Sequence, residues 1–171
     1  MKKIFSPWRS QYIATFKNEK PKKDESLFTR IIRENKDEKN LVILRKKYCF
    51  VMMNLYPYNS GHLMVVPYTQ ASTMSGLDSE TMTEIMETLT QMEQLLTTVM
   101  KPHGFNMGAN IGRVAGAGID DHIHFHIVPR WNGDTNFMPT LGDVKVVSED
   151  MRATYKKLIF SVKKQTQKRK K

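Results

Sequence analysis

The chain has 171 residues and a formal net charge of +10, with 40% hydrophobic and 26% charged residues. This length suits one domain with its own core, and the apolar content excludes a chain that is disordered throughout. No stretch approaches about 18 consecutive apolar residues, and no apolar run follows the basic N-terminus, so neither a transmembrane helix nor a signal peptide is predicted. The single cysteine, Cys49, excludes an intrachain disulfide and a multi-cysteine zinc site. A soluble cytoplasmic domain is expected.

The positive charge lies at the two ends of the chain. Residues 1–23 hold seven basic residues and one acid, for +6, and residues 156–171 hold eight basic residues and no acid, for +8. Residues 24–155 hold twelve basic residues and sixteen acids, for −4. A basic protein often binds nucleic acid or an anionic membrane surface. This distribution instead favours solvated basic ends on a mildly acidic body, so we expect no membrane partner and regard nucleic acid as a secondary alternative.

The first half of the chain predicts strands after a polar approach segment. Residues 17–40 are polar and lysine-rich, and we interpret them as a loosely held segment with one or two helical turns. Residues 41–54 predict two strands that are joined by a turn at the basic triplet 45–47. Turn-forming residues follow at 56–61, and a short strand is predicted from His62 to Pro67.

The hydrophobic period changes at residues 77–100. Apolar residues recur there at steps of three and four, which predicts one long amphipathic helix. Asp78 or Ser79 can cap its start, and Pro102 with Gly104 ends it. The predicted apolar stripe consists of Met82, Ile85, Met86, Leu89, Met92, Leu96, Val99 and Met100.

The remaining elements are two strands around a loop, and a last helix. We predict a strand from Phe105 to Ile111, a glycine-rich loop from Gly112 to Asp121, and a strand from His122 to Val128 that Pro129 stops. The last helix runs from about Glu149 to Lys164, with an apolar face of Met151, Tyr155, Leu158, Ile159 and Val162. Antiparallel strands with these helices define an α+β fold. We divide the chain into an N-terminal extension (1–40), a domain (41–162) and a basic tail (163–171).

The strongest chemical signal is the alternation of histidine with apolar residues at 122–128. Because strand side chains alternate between faces, the three histidines share one face, and Ile123, Phe125 and Ile127 share the buried one. One interpretation is a metal site that is completed by Asp120 or Asp121. However, the Cα atoms of the first and third histidines in such a strand lie about 13 Å apart, and three parallel side chains cannot converge on one ion at a Zn–N distance of about 2 Å.

The second interpretation is a catalytic row that lies along a chain of phosphates. Imidazole is neutral and nucleophilic near pH 7, and a neighbouring imidazole can donate a proton. The loop from Gly112 to Gly118 leads into the histidine segment. Its glycines allow backbone N–H groups to approach phosphate oxygens closely. The combination favours the catalytic interpretation.

With these residues the sequence resembles the histidine-triad (HIT) superfamily of nucleotide hydrolases and transferases. Residues 122–128 meet its motif in full, and Asn54, Pro57 and the segment 61–67 resemble its upstream half. His126 argues against the uridylyltransferase branch, which has glutamine there. The resemblance covers about residues 6–160. Further segments resemble a microbial branch that is similar to diadenosine tetraphosphate phosphorylases: Pro7-Trp8-Arg9, Tyr12-Ile13, 59–67, 110–113 and 129–139.

The resemblance implies a role for each histidine. His124 would attack the α-phosphorus and form a covalent nucleotidyl-histidine. His126 would contact the phosphates and assist the leaving group, and His122 would hydrogen-bond toward His62 to orient the row. The implied fold is an antiparallel sheet of about five strands with one long helix and a C-terminal helix.

The resemblance also implies nucleotide-binding residues. Asn54 would contact the ribose hydroxyls, and Met52 and Met64 would line an apolar slot for the base. Trp131 would cover a second nucleoside, and a partly buried core aromatic is an equally good interpretation of it. The residues that would contact phosphates are Asn110, Ala117 and Gly118.

The sequence departs from the family pattern at two places, which concern a structural zinc site and the group that accepts the nucleotide. Ser26-Leu27-Phe28-Thr29 stands where many relatives carry the Cys-x-x-Cys of a structural zinc site, so we expect no structural zinc. Gly118 and Ile119 stand where relatives often carry a Ser or Thr hydroxyl for phosphate, which leaves phosphate and water open as acceptors. No cofactor is required, although magnesium can arrive with the nucleotide.

We therefore expect an enzyme that acts on a small nucleotide and cleaves dinucleoside polyphosphates. Alternatives are a nucleoside phosphoramidate or adenylate hydrolase of the same family and, in another class, a non-catalytic nucleotide- or RNA-binding module. The resemblance also implies a homodimer through the long helix and an edge strand, with a tetramer as a larger form.

Overall fold

A computed structural model describes residues 26–134 and 149–169. Our predictions for Pro7-Trp8-Arg9, Tyr12-Ile13 and residues 135–139 lie outside the described residues. Within them, no helix combines the length and apolar character that a membrane crossing needs. The helices and strands in chain order are α1 (Leu27–Glu34), β1 (Val42–Arg45), β2 (Cys49–Met53), β3 (Leu63–Pro67), α2 (Ser79–Met100), β4 (Gly104–Ala109), β5 (Phe125–Arg130) and α3 (Met151–Arg169).

The five strands form one antiparallel sheet in the order β1-β2-β3-β5-β4. The predicted α+β fold with five antiparallel strands is therefore confirmed. The strand β4 lies at one edge of the sheet, where it pairs only with β5. The turn between β1 and β2 falls at the basic triplet, as predicted.

Both faces of the sheet are covered. The alternation along β2 places Cys49, Val51 and Met53 in the main core, with α2 and α3. The intervening Phe50 and Met52 belong to a second apolar cluster on the opposite face. Because both faces are buried, every residue of β2 and β3 is buried.

The helix α2 has nearly the predicted extent, and its apolar stripe needs one correction. Its N-cap is Asp78, whose carboxylate accepts a hydrogen bond from the Thr81 backbone N–H at 2.7 Å. It ends at Met100, with Lys101 in the left-handed conformation. Met86 does not belong to the buried stripe, because its side chain is 56% exposed.

The helix α3 confirms the predicted apolar face. Tyr155, Leu158 and Val162 are buried in the main core, and Met151 and Ile159 pack against it. The helix extends to Arg169, five residues beyond the predicted end at Lys164.

The helix α1 corrects our interpretation of residues 17–40 as loosely held. It has two turns, as expected, but Phe28 is fully buried and Ile31 is 5% exposed. Both side chains belong to the second cluster, together with Met52, Met64 and other residues of β1–β3. The helix therefore covers the face of the sheet that is opposite α2 and α3.

The predicted strand at His122–Val128 is displaced by a few residues. The strand β5 begins at Phe125 and continues through Pro129 to Arg130, so His122 and His124 precede it. Proline is tolerated there because β3 pairs only with residues 125–127 and requires no N–H from residue 129. Ile123, Phe125 and Ile127 lie in the main core, as predicted.

Candidate active site

The sheet register places His126 in a row of side chains that crosses the strands on the α1 face. Met52 pairs with Met64, Met64 with His126, and His126 with Gly108. Directly opposed residues of antiparallel strands point to the same face. The predicted base-binding methionines are therefore neighbours of the histidines.

His122 makes two side-chain hydrogen bonds. Its Nε2 lies 2.9 Å from the carbonyl oxygen of Pro67, which can only accept, so Nε2 carries the proton. Its Nδ1 lies 2.8 Å from Ser26 Oγ, and in the neutral ring this nitrogen accepts the hydroxyl proton. Because both nitrogens are occupied, the predicted bond from His122 toward His62 is wrong.

His124 has the opposite tautomer. Its Nδ1 lies 3.0 Å from the backbone carbonyl oxygen of His122 and donates to it. In the neutral ring, Nε2 then holds a lone pair and no proton. A ring with this tautomer is a nucleophile whose orientation the backbone fixes.

A hydrogen bond between His62 and His126 determines which ring nitrogen of His126 carries the proton. The backbone N–H of Tyr58 donates to His62 Nδ1 at 3.0 Å, so the proton of His62 sits on Nε2. That nitrogen lies 2.9 Å from His126 Nδ1 and donates to it. His126 therefore carries its own proton on Nε2, a buried atom for which the described residues provide no hydrogen-bond partner. The site thus contains one bare nitrogen, on His124, and one unsatisfied N–H, on His126.

Burial keeps these rings neutral. Desolvation, reinforced by the neighbouring His124, lowers the pKa of His126 to about 4. Desolvation also lowers the pKa of His122 and of His124. Near pH 7 all three rings are uncharged, which is the protonation state that the hydrogen bonds require.

The predicted base slot is closed. Met52 is 2% exposed and Met64 is 6% exposed, because α1 covers them with Phe28 and Ile31. Neither methionine lines an open slot in this structure. Asn54 is half-buried next to His62, and its side-chain oxygen accepts from the backbone N–H of Tyr56 at 2.9 Å.

The glycine-rich loop is irregular and open. Gly112 and Gly116 have φ angles of 81° and 95°, which favour glycine. Asn110 and Ala117 are half-buried, and Gly118 is exposed. On β4, a Cβ at Gly108 would meet nothing within 4 Å, so space is available opposite His126.

Trp131 lies in a tight turn after β5. The Asp134 carboxylate accepts from the Trp131 backbone N–H at 2.9 Å, from the Arg130 guanidinium at 2.7 Å and from the Asn59 amide at 2.8 Å. These bonds connect the turn to the segment that precedes His62. Trp131 itself is half-buried, which is compatible with either of the roles expected for it.

The sequence analysis missed three residues of the site. Ser26 bonds to His122. The Phe28 ring lies 5.0 Å from the His124 ring, and the Tyr58 ring lies 4.8 Å from the His62 ring. Ser26 and Phe28 lie in the segment 26–29, which the resemblance aligned with the Cys-x-x-Cys of relatives, whereas no sequence signal connected Tyr58 to a histidine distant in the chain.

Similar proteins are found by sequence and by structure. The chain is 37% identical to an AP-4-A phosphorylase of Mycobacterium tuberculosis over 158 residues, which cover 90% of this chain and 80% of that protein. It is 25% identical to an adenosine 5'-monophosphoramidase of Schizosaccharomyces pombe, over 65% of this chain and 80% of that protein. The crystal structure of a zinc-bound histidine triad family protein from Mycobacterium smegmatis has a TM-score of 0.68 at 19% identity, and covers 84% of this chain and 96% of that chain.

The residues present in this chain do not fit a comparable structural zinc. Zinc prefers cysteine, histidine and carboxylate ligands. At the expected position the chain offers the hydroxyls of Ser26 and Thr29, whose oxygens lie 3.1 Å apart. Among the described residues, no group of three or more His, Cys, Asp or Glu side chains is arranged to hold a metal ion.

The family assignment follows from a sequence model. Residues 35–133 match the family model described as "HIT domain", which is more than half of the chain. The expected resemblance is confirmed by this match, by the 37% identical relative and by the fold. The chain belongs to the HIT domain family.

Proposed function

We propose that this chain is an enzyme that cleaves dinucleoside polyphosphates through a covalent nucleotidyl-histidine on His124. The observation that carries this proposal is the pair of opposite tautomers: a bare Nε2 on His124 and an N–H on His126 Nε2. The 37% identical relative is named an AP-4-A phosphorylase, which supports a diadenosine polyphosphate as substrate.

The two tautomers provide a nucleophile and a group that assists the leaving group in the first displacement at phosphorus. The lone pair of His124 Nε2 forms a bond to the α-phosphorus, and the bond from that phosphorus to the bridging oxygen breaks. His126 Nε2–H donates a hydrogen bond to the departing oxygen, which leaves as a terminal phosphate oxygen of the released nucleotide and takes no proton from the ring. The hydrogen bond from His62 keeps the proton of His126 on Nε2, where it faces the leaving group. An acceptor oxygen then attacks the phosphorus and releases His124.

The acceptor is the second part of the proposal. The named activity of the closely similar relative favours inorganic phosphate. The chain lacks a hydroxyl at Gly118 and Ile119, so phosphate would be held by backbone N–H groups of the loop and by Asn110. The second nucleoside would lie against Trp131, and Asn54 would contact a ribose. Opening of the base slot would require Met52 and Met64 to separate from α1.

No resident cofactor is needed in this proposal, because the two histidines provide the nucleophile and the hydrogen-bond donor for the leaving group. Magnesium would arrive only with the nucleotide. Dialysis of the protein against a chelator, followed by assay in metal-free buffer, tests this point. Activity that is lost and returns with zinc alone would contradict it.

The central experiment compares two histidine substitutions. The protein is incubated with diadenosine tetraphosphate, with and without phosphate, and the products are separated. ADP plus ATP indicates phosphorolysis, and ATP plus AMP indicates hydrolysis. We expect His124→Asn to abolish turnover while nucleotide binding is kept. His103→Asn is the matched control, because His103 is exposed and bonds only to the turn at Asn132 among its side-chain contacts. Unchanged turnover in His124→Asn would refute the nucleophile.

A phosphoramidate or adenylate hydrolase is the second candidate. It is favoured by the named activity of the Schizosaccharomyces pombe relative. Adenosine phosphoramidate is therefore assayed in parallel. Turnover of this compound with none of diadenosine tetraphosphate would replace the first candidate by the second.

We also propose that the enzyme is a homodimer. The edge strand β4 exposes Asn106, Met107 and Gly108, and Met86 of α2 is 56% exposed. An open edge with apolar side chains is a site where a second chain can pair. Sedimentation equilibrium distinguishes a dimer from a tetramer. A monomer at micromolar concentration would contradict the assembly.

A further inference from the structure

One hydroxyl connects the helix α1 to the histidine row. Ser26 is the N-cap of α1, and its Oγ accepts from the backbone N–H of Thr29 at 3.1 Å. The same Oγ lies 2.8 Å from His122 Nδ1. Because Nδ1 of His122 is the accepting nitrogen, the single hydroxyl proton of Ser26 is directed to it. Ser26 is 3% exposed, so water does not replace this donor easily.

The hydrogen bond from Ser26 to His122 is connected to His124 through the backbone of His122. With Nδ1 satisfied by Ser26 and Nε2 bonded to Pro67, the ring of His122 is held at both ends. The carbonyl of the same residue accepts the Nδ1–H of His124. Any movement of His122 therefore changes the acceptor that determines which nitrogen of His124 is bare.

Neighbouring contacts hold the same segment. Thr29 Oγ1 donates to Gln70 Oε1 at 2.9 Å, and the Gln70 amide donates to Asp121, the residue before His122, at 3.3 Å. The Phe28 ring packs edge-on against the His122 ring at 5.4 Å. Hydrogen bonds and an aromatic contact therefore hold the segment that leads into the histidine row.

We infer that Ser26 is a positioning residue, which sets the orientation and tautomer of His124 through His122. The inference rests on the proposed role of His124 as the nucleophile. Without the hydroxyl, Nδ1 of His122 becomes a buried acceptor without a donor, and the ring moves or admits water to satisfy it. The carbonyl that holds His124 moves with it.

Two substitutions at Ser26 separate this role from helix capping. Ser26→Ala removes both the donor and the cap, whereas Ser26→Gly removes the donor but keeps a residue that is nearly as good an N-cap. If the hydroxyl positions the nucleophile, both variants lose kcat by roughly ten- to a hundredfold, with KM within about twofold. Asp78→Ala removes the cap of α2 and is the matched control, for which kcat stays unchanged.

The result that would overturn the inference is a Ser26→Gly variant with wild-type kcat. In that case the loss in Ser26→Ala would reflect only a weaker helix. A thermal melt of all three variants, at one protein concentration, shows which of them keep the wild-type midpoint.

A second measurement does not depend on turnover. Nitrogen-15 spectra of the imidazoles in the resting wild-type protein are expected to show His122 with its proton on Nε2 and His124 with its proton on Nδ1. In Ser26→Gly, the His124 signals shift toward a mixture of tautomers. Unshifted His124 signals overturn the inference. If the wild-type protein cleaves no nucleotide, the proposed function fails, and the spectra still decide whether Ser26 orients His124.

Discussion

The buried, neutral ring of His126 predicts a specific loss of stability in acid. In the unfolded chain this ring has its ordinary pKa of 6.5, whereas burial beside His124 lowers the folded-state pKa to about 4. Between these values the unfolded chain binds more protons than the folded one, so stability is complete above pH 6.5 and is lost as the pH falls toward 4. From pH 7 to pH 4.5, the linkage relation gives a loss of about 2 kcal/mol from this one ring.

The His126→Gln variant isolates this contribution. The glutamine amide can still accept from His62 Nε2, but it does not titrate. The groups that face His126 are His62, His124 and the Tyr58 ring, and all three stay in the variant. Other titrating groups therefore contribute nearly equally to both proteins.

Urea unfolding followed by circular dichroism, at pH 7 and at pH 4.5 and at one protein concentration, measures the difference. We expect the wild type to lose about 2 kcal/mol more than His126→Gln over this interval. Equal losses in the two proteins would refute a neutral, desolvated His126.

Three further predictions concern other parts of the fold. Gly108→Val places a side chain in the open space beside His126, so kcat/KM should fall at least about tenfold. The control Gly104→Val, at the other end of β4, should leave kcat/KM unchanged. Equal kcat/KM in the two variants would show that the substrate does not occupy the space beside His126. Phe28→Ala should cost about 3–5 kcal/mol of unfolding free energy in a denaturation curve, because it empties a fully buried site under α1. Glu84→Gln should lower the unfolding free energy by about 1 kcal/mol at pH 7, because the carboxylate accepts three backbone N–H groups of the β1–β2 turn; no change would mean that solvent replaces these bonds.

Elements with a clear hydrophobic period could be predicted from the sequence. The helix α2 and the buried face of α3 follow from apolar residues at steps of three and four, and the strands β2 and β3 follow from short β-rich runs between turn residues. The alternation of Ile123, Phe125 and Ile127 likewise indicated which side of the histidine segment faces the core.

The role of α1 could not be predicted in the same way. Its buried residues, Phe28 and Ile31, alternate with threonine and arginines, and eight residues are too few for a periodic signal. What holds the helix is tertiary contact with the second face of the sheet. That face was expected to be open for a base, and its methionines gave no sign that α1 covers them.

The partner of each histidine is also a tertiary property. The family resemblance paired His62 with His122, whereas the register pairs Met64 with His126 and thereby brings His62 to His126. The start of β5 at Phe125 has the same origin, because the strand exists only where β3 and β4 offer hydrogen-bond partners. The histidine motif indicated the chemistry of the site. The pairing of the strands determines which histidines bond to each other and therefore which ring nitrogen carries the proton.

The uncharged surroundings of the histidine row have a consequence for how a polyanion is recognised. The hydrogen-bond partners that the row uses are a hydroxyl, backbone carbonyls and another imidazole. Neutral donors release no condensed counterions when a phosphate replaces water, so the contribution of the row to nucleotide affinity should vary little with ionic strength. High salt would then weaken only those contacts that lysine and arginine make. The lysine-rich ends of the chain and the phosphate-binding row would thus respond separately to the ionic conditions of the cell.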